Sequence, residues 1–288
     1  MKKQERKRNF IQLAAAVLIN GYLAGYAKGK IFTGNTKIVC VPVLNCYSCP
    51  GALGSCPIGA MQSVSSGRSH RFSFYVLGLL MAFGIILGRT VCGFLCPFGF
   101  FQDLLHKIPL PKIKVPKKPD KYLRYLKYGV LIFTVFLIPA LFRDEFGLGV
   151  TWFCKYICPA GTLGAGFPLI AANESLRSIL GDLFFLKLGI LVFFILLSVF
   201  MFRPFCKYVC PLGAFYAIFN KYSFFRHTID KEKCIDCKKC ETVCPMEVDV
   251  TKNISGAECI NCGKCASACP TNAIYRPITS LCDRRKMK

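Results

Sequence analysis

Four stretches of this chain are almost wholly apolar and are fenced by charge: residues 10–27, 72–88, 125–142 and 183–202. Each approaches the about 20 residues that a helix needs to cross a bilayer core. The second and third are the shortest. The fourth is the strongest, with Lys187 as its only charge, placed near enough to one end to reach the interface. Buried core helices of a soluble protein give a similar pattern, but four of them bordered by dense Lys and Arg favour membrane spans. Between the second and third lies a basic, Pro-rich connector (IPLPKIKVPKKPDKY), which reads as an extended loop. The pattern predicts an α-helical membrane bundle of about four transmembrane helices in residues 1–226. A small α+β module follows in residues 227–275, made of two pseudo-symmetric hairpin-and-helix units. Residues 276–288 form a basic tail, disordered over Asp283–Lys288.

Composition agrees with a membrane setting. The chain is 53% hydrophobic, with mean hydropathy +0.43. Its net charge is +23 although only 18% of residues are charged. Counted beside the four spans (residues 2–8, 89–127 and 203–233 against 28–71 and 143–177), 20 basic residues fall on the side of the two termini and 8 on the other. The positive-inside rule then puts both termini and the C-terminal module in the cytoplasm of a prokaryote, with a multi-pass fold in the inner membrane. Topology and anionic lipid account for the basic surplus, without nucleic acid. Residues 1–27 also have the order of a signal peptide. Removing them would leave three spans and split the ends across the membrane, against the charge count.

The strongest chemical signal is a pair of cysteine runs. Cys234, Cys237, Cys240 and Cys244 precede Pro245, and Cys259, Cys262, Cys265 and Cys269 precede Pro270. Both read C-x2-C-x2-C-x3-C-P, the spacing with which bacterial two-cluster ferredoxins hold two [4Fe–4S] clusters. In that pattern the fourth cysteine crosses over. Cys234, Cys237, Cys240 and Cys269 make one set, and Cys259, Cys262, Cys265 and Cys244 the other. Zinc and disulfides are the rivals, and neither explains two identical runs each closed by Pro.

Three further motifs share the form C-x3-C-P: Cys92 and Cys96, Cys154 and Cys158, Cys206 and Cys210. Pro suits the first position of a helix, so the second cysteine of each sits at a helix start, where free N–H groups favour a thiolate. Small buried cysteines are the plain alternative. Cys92, Cys96, Cys206 and Cys210 fall at the cytoplasmic ends of spans two and four, the right number for one more cluster. Cys154 and Cys158 fall at the outer face with Cys40, Cys46, Cys49 and Cys56 of the first loop (CVPVLNCYSCPGALGSCPIG). These six suffice for one cluster and a spare pair, so the bundle has room for one or two clusters beyond the ferredoxin pair. Clusters at both faces would carry electrons across a core of about 30 Å. Alternatively, Cys46 and Cys49 form an exchange-active pair that reduces extracytoplasmic dithiols, or Cys40 and Cys56 a structural bridge. The spacing does not choose between ligand and disulfide.

The segments CGFLCPFGFFQDLLHK and CKYVCPLGAFYAI, with the tandem runs, resemble the NapH/NosR/CcoG-type membrane polyferredoxins over roughly residues 72–272. The resemblance implies electron transfer between quinol, or a reduced cytoplasmic donor, and a redox partner protein on the cytoplasmic or outer side. The third motif and the cysteine loop depart from the simplest members, and the flavin domain of the NosR type is missing. CcoG-type relatives keep a redox-sensing or metal-handling assembly role in view.

Other redox designs lack their residues. His70, His106 and His227 are the only histidines and none lies in a span, so paired-histidine haem has no ligands. No C-x-x-C-H, G-x-G-x-x-G or P-loop occurs. Asp103 and His106 (FGFFQDLLHKI) could line a quinone site, although a solvated polar face is the plainer reading. The 26 Phe and 12 Tyr suit lipid contact and interfacial belts. Cys282 has no motif around it. No nucleophile–base pair is visible, so the chain reads as an electron-transfer component rather than a stand-alone enzyme.

Overall fold

The computed structural model describes residues 2–66, 73–142, 150–178 and 180–277. His70, Cys282 and the tail after residue 277 lie outside these. The described chain is mostly helical, with one short two-stranded sheet.

Among the described residues two helices are long and apolar enough to cross a membrane, Lys117–Leu141 and Asp182–Phe200. The other two apolar stretches take different forms. Residues 10–27 are divided between Lys2–Ile19 and Leu23–Lys28, and the second piece ends on Gly29, whose φ of 59° suits glycine. Ser73–Ile86 is a helix of 14 residues, about 21 Å long and so short of the hydrocarbon thickness. The Pro-rich connector is extended only to Pro116. From Lys117 it is already helical, with Pro119 in the first turn where its missing N–H costs nothing.

Asp182–Phe200 shows how the bundle is oriented. Leu191, Phe194 and Ser198 are buried, while Phe185, Phe193 and Leu196 stay more than half exposed. An apolar outer face of this kind is at home against lipid tails. One continuous core joins Val43, Ile58, Val91, Phe153, Phe194, Phe205 and Tyr216, and buried cysteines lie within it. Phe205 is packed edge-on by both Phe98 and Phe194, at centroid distances of 5.2 and 5.1 Å.

The C-terminal module is held by two small cores, one around Cys240, Val250, Cys265 and Ile274, the other around Met246, Ile260 and Cys262. Its sheet differs from the expected two hairpins. The strands Thr228–Ile229 and Ile274–Tyr275 pair antiparallel and close the module at its ends. The two halves repeat at an offset of 25 residues down to backbone detail. Asp236 and Asn261, Lys238 and Gly263, and Glu247 and Asn272 all have positive φ. Each cysteine loop therefore curls by the same left-handed steps, of the kind that aims successive N–H groups inward.

Candidate metal centres

The C-terminal cysteines line two separate cavities. Cys244, Cys259, Cys262 and Cys265 share one with Met246 and Ile260. Cys234, Cys237, Cys240 and Cys269 share the other with Ile229 and Ile274. The last cysteine of each run thus lies in the cavity of the other run. Asn261 N–H points at Cys259 Sγ at 3.4 Å. The two cavities differ in exposure: Cys237 is exposed, whereas Cys262 and Cys265 are buried.

In the bundle, Cys92, Cys96, Cys206 and Cys210 are all buried and act electrostatically on one another. Their positions follow from two Cys–Pro steps, since Pro97 and Pro211 open the helices Pro97–Leu105 and Pro211–Asn220. Gly213 N–H reaches Cys210 Sγ at 3.4 Å, and Gln102 Nε2 donates to Cys206 Sγ at 3.1 Å. Burial pushes the Cys96 thiol up to about 12, and Cys206 and Cys92 add to it. Cys206 is likewise raised by burial, with Arg203 pulling it back. Arg203 and Arg89 are both fully buried beside this set. Arg203 donates to Cys92 O at 2.5 Å and grips Asp103 with two bonds of 2.6 Å. It does so from a left-handed backbone, φ 50°.

Asp103 is therefore no solvated surface residue. It is 4% exposed and also accepts from Arg8 at 3.0 Å and Gln12 at 3.2 Å. Burial opposes its ionisation, but Arg203 and Arg8 outweigh that and hold the carboxyl below its ordinary range. His106 stacks edge-on against Phe202 at 5.4 Å. A carboxylate committed to two arginines is not free to bind a quinone.

The six cysteines of the other end divide. Cys46, Cys56, Cys154 and Cys158 line a common cavity of about 890 Å³. Cys49 instead shares a hydrogen bond with Tyr26 OH at 3.1 Å and donates to Asn20 Oδ1 at 3.5 Å. Cys40 is buried in a bridge with Ser55. Gln62 Nε2 donates to Cys154 Sγ at 3.1 Å. Lys187 turns inward rather than along the lipid, donating to Cys154 O at 3.3 Å.

The module docks on the bundle through buried polar groups that sequence reading passed over. Glu258 accepts from Lys127 at 2.5 and 2.6 Å and from Arg89 at 3.1 Å. Asn220 Nδ2 donates to the carbonyls of Gly256 and Cys259, both at 2.8 Å. Asn261 Nδ2 donates to Asn220 Oδ1 at 3.0 Å and Thr90 Oγ1 at 3.2 Å. Lys207 pairs with Asp120 at 2.8 Å and Glu247 at 2.7 Å. A Cβ at Gly93 would overlap the carbonyl oxygen of Ile260, so the loop of one C-terminal set presses directly on the short helix Thr90–Phe94 that carries Cys92. Basic residues assigned to anionic lipid by counting are thus partly used inside the protein. Glycine between the cysteines was the available signal for this contact.

These sites suit [4Fe–4S] clusters in their donor chemistry. Four soft sulfur donors surround each C-terminal cavity, N–H groups face several sulfurs, and the described cysteines are free of disulfides. Among the described residues no three His, Cys, Asp or Glu side chains converge tightly enough for a single ion such as zinc. A cubane binds each thiolate to a different iron and needs no such convergence.

Comparison with known proteins agrees. A 4Fe-4S binding domain family matches residues 72–116, 128–168 and 183–232, and a 4Fe-4S dicluster domain family matches residues 219–279. The chain is 34% identical to the uncharacterized protein MJ0750 of Methanocaldococcus jannaschii, over 63% of its own length and 69% of the relative's. It is 30% identical to MJ0749 of the same organism, over 64% and 61%. It is 27% identical to the ferredoxin-type protein NapH of Haemophilus influenzae, over 58% and 51%. The chain thus spans about half to two thirds of these relatives. No solved structure matches it.

Proposed function

The chain belongs to the NapH/NosR-type ferredoxin-like membrane proteins, and from that premise we infer that it carries electrons between a cytoplasmic donor or quinol and a redox partner in or beyond the membrane. The observation that carries this reading is the contact of Ile260 with Gly93. It joins the cavity of Cys244, Cys259, Cys262 and Cys265 to the set of Cys92, Cys96, Cys206 and Cys210. [4Fe–4S] clusters, when bound, supply reversible one-electron storage at potentials set by charge, hydrogen bonds to sulfur and exposure.

The residues present divide that work. The eight C-terminal cysteines would hold two clusters, and Cys92, Cys96, Cys206 and Cys210 a third. Gln102 and Gly213 donate to sulfur, while Arg89 and Arg203 offset the negative charge of four thiolates in a dry interior. Exposed Cys237 marks where a soluble partner can approach. Cys240 and Cys265 share one small core, and Ile260 beside the second set meets Gly93 of the bundle. In this reading the four apolar stretches cross the inner membrane, with both termini and the ferredoxin module cytoplasmic. The domain boundary falls near residue 226.

The test is anaerobic purification in detergent, followed by iron and sulfide analysis and stepwise reduction monitored by EPR. These three sets predict uptake of at least about three electrons per chain at one electron per cubane. Uptake of two would confine redox activity to the C-terminal module. Protease treatment of sealed vesicles checks orientation, since residues 227–275 should be cut only from the cytoplasmic side.

A further inference from the structure

We propose that Cys46, Cys56, Cys154 and Cys158 hold a [4Fe–4S] cluster of their own at the end of the bundle away from the ferredoxin module, and that Cys40 and Cys49 take no part in it. This rests on the reading of the chain as an iron–sulfur electron carrier and assigns that carrier's far station.

The argument is an internal repeat of the set formed by Cys92, Cys96, Cys206 and Cys210. Residues 56–62 read CPIGAMQ and residues 96–102 read CPFGFFQ. In both, Pro opens a helix, Pro57–Ser66 and Pro97–Leu105. In both, the Gln six places after the cysteine donates to the first sulfur of a distant C-x3-C-P motif. Gln62 reaches Cys154 and Gln102 reaches Cys206, each at 3.1 Å. Both Gln side chains also donate to the carbonyl four residues back, Ile58 at 3.2 Å and Phe98 at 3.5 Å. The partner motifs match as well, CPAG at 158–161 and CPLG at 210–213.

Two glycines lie beside the sulfurs. A Cβ at Gly161 would stand 3.6 Å from Cys46 Sγ, and one at Gly59 would stand 3.9 Å from Cys154 Sγ. Counter-charge is supplied too, for Lys187 acts on Cys46 and Cys154 as Arg89 and Arg203 act on the other set. On ligation each thiol gives up its proton to solvent and forms one Fe–S bond.

The repeat has one break. The residue four before Cys96 is Cys92, but the residue four before Cys56 is Ala52, buried and without a thiol. Cys46 supplies the missing fourth sulfur from further up the loop, and for that reason a search for C-x3-C-P overlooks the site. Both sets reach the buried Tyr216, which interacts with Cys56 of one and with Cys92, Cys96 and Cys210 of the other. Along Asp182–Phe200, Lys187 reaches Cys154 from the second turn, and the helix Pro204–Tyr208 carrying Cys206 follows the last.

Iron and sulfide content, measured anaerobically on wild type and variants, decides the matter. Wild type should contain about 16 of each, Cys56→Ser and Cys154→Ser about 12, and Cys40→Ser and Cys49→Ser about 16, at four per cubane. A wild-type content of about 12 that falls to about 8 in Cys92→Ser would overturn this assignment and leave the carrier reading standing. A wild-type content of about 8 would overturn it as well and confine the clusters to the C-terminal module. Gln62→Leu keeps every cysteine and guards against loss of fold. It should retain full iron and lower the midpoint potential of one cluster in an EPR-monitored titration, because a donor to sulfur is lost. Four unmoved midpoints would also overturn the assignment.

Discussion

Replacing Glu258 with Gln should loosen the ferredoxin module from the bundle without touching a cysteine. Glu258 is one carboxylate shared by two cations, Arg89 and Lys127, whose side chains are both fully buried. The amide keeps the shape and some hydrogen bonding but leaves two buried positive charges facing each other. Removing one partner of a buried pair costs about 3–5 kcal/mol. Glu258 itself keeps 14% exposure, which favours the lower end. At about 3 kcal/mol the docked state loses more than about a hundredfold against the undocked one, since 1.36 kcal/mol is a factor of ten. Hydrogen–deuterium exchange reads this directly, because the backbone around residues 255–261 is covered only while docked. Exchange there should accelerate by that factor while iron content stays at the wild-type level. Adding Lys127→Met should recover part of the loss, as removing the stranded charge relieves the repulsion. Exchange within threefold of wild type would show that the carboxylate does not hold the interface.

Four further outcomes are expected. Gly93→Ala should push the Ile260 loop away and slow electron exchange between module and bundle in stopped-flow reduction, with iron content unchanged. Asp103→Asn should cost about 3–5 kcal/mol, since Arg203 and Arg8 are left buried without a carboxylate, and a melting temperature unchanged in detergent would contradict this. The pH dependence has a definite sign. The folded carboxyl of Asp103 is held below its ordinary value of 3.8, so its stabilisation is complete above that pH and is lost as pH falls through the depressed value. The deficit of the Asn variant should therefore be constant from neutral pH downward and shrink only in strongly acid buffer. Stripping iron with a chelator should unfold residues 227–275, whose two small cores include several cysteines, while far-UV circular dichroism retains most of the helix signal of the bundle.

The helical character and the C-terminal module were legible because their signals are local. An apolar run fenced by Lys and Arg, or four cysteines within eleven residues, needs no knowledge of what lies across the fold. Charge was less legible. Counting assigned Arg89, Lys127 and Lys207 to the membrane surface, whereas they meet Glu258, Asp120 and Glu247, residues up to 169 positions away. Asp103 read as a polar helix face because its partners, Arg8 and Arg203, come from opposite ends of the chain. The first apolar run gave no warning of its interruption at residues 20–22, where Tyr22 N–H turns to bond Gly51 O at 3.2 Å.

The 25-residue repeat of the module is symmetric in backbone and unequal in side chains. Position 236 is Asp and open to solvent, while its counterpart 261 is Asn, wholly buried between Thr90 and Asn220. A carboxylate at 261 would face that same Asn220 oxygen with no proton to offer, whereas an amide at 236 would meet only water and Cys234. Lys238 stands where Gly263 lets the chain pass close to Gln4. The repeated unit thus serves once as a plug and once as a face left open to solvent. The halves are no longer exchangeable, and a chimera that swaps them would bind its iron and fail to seat.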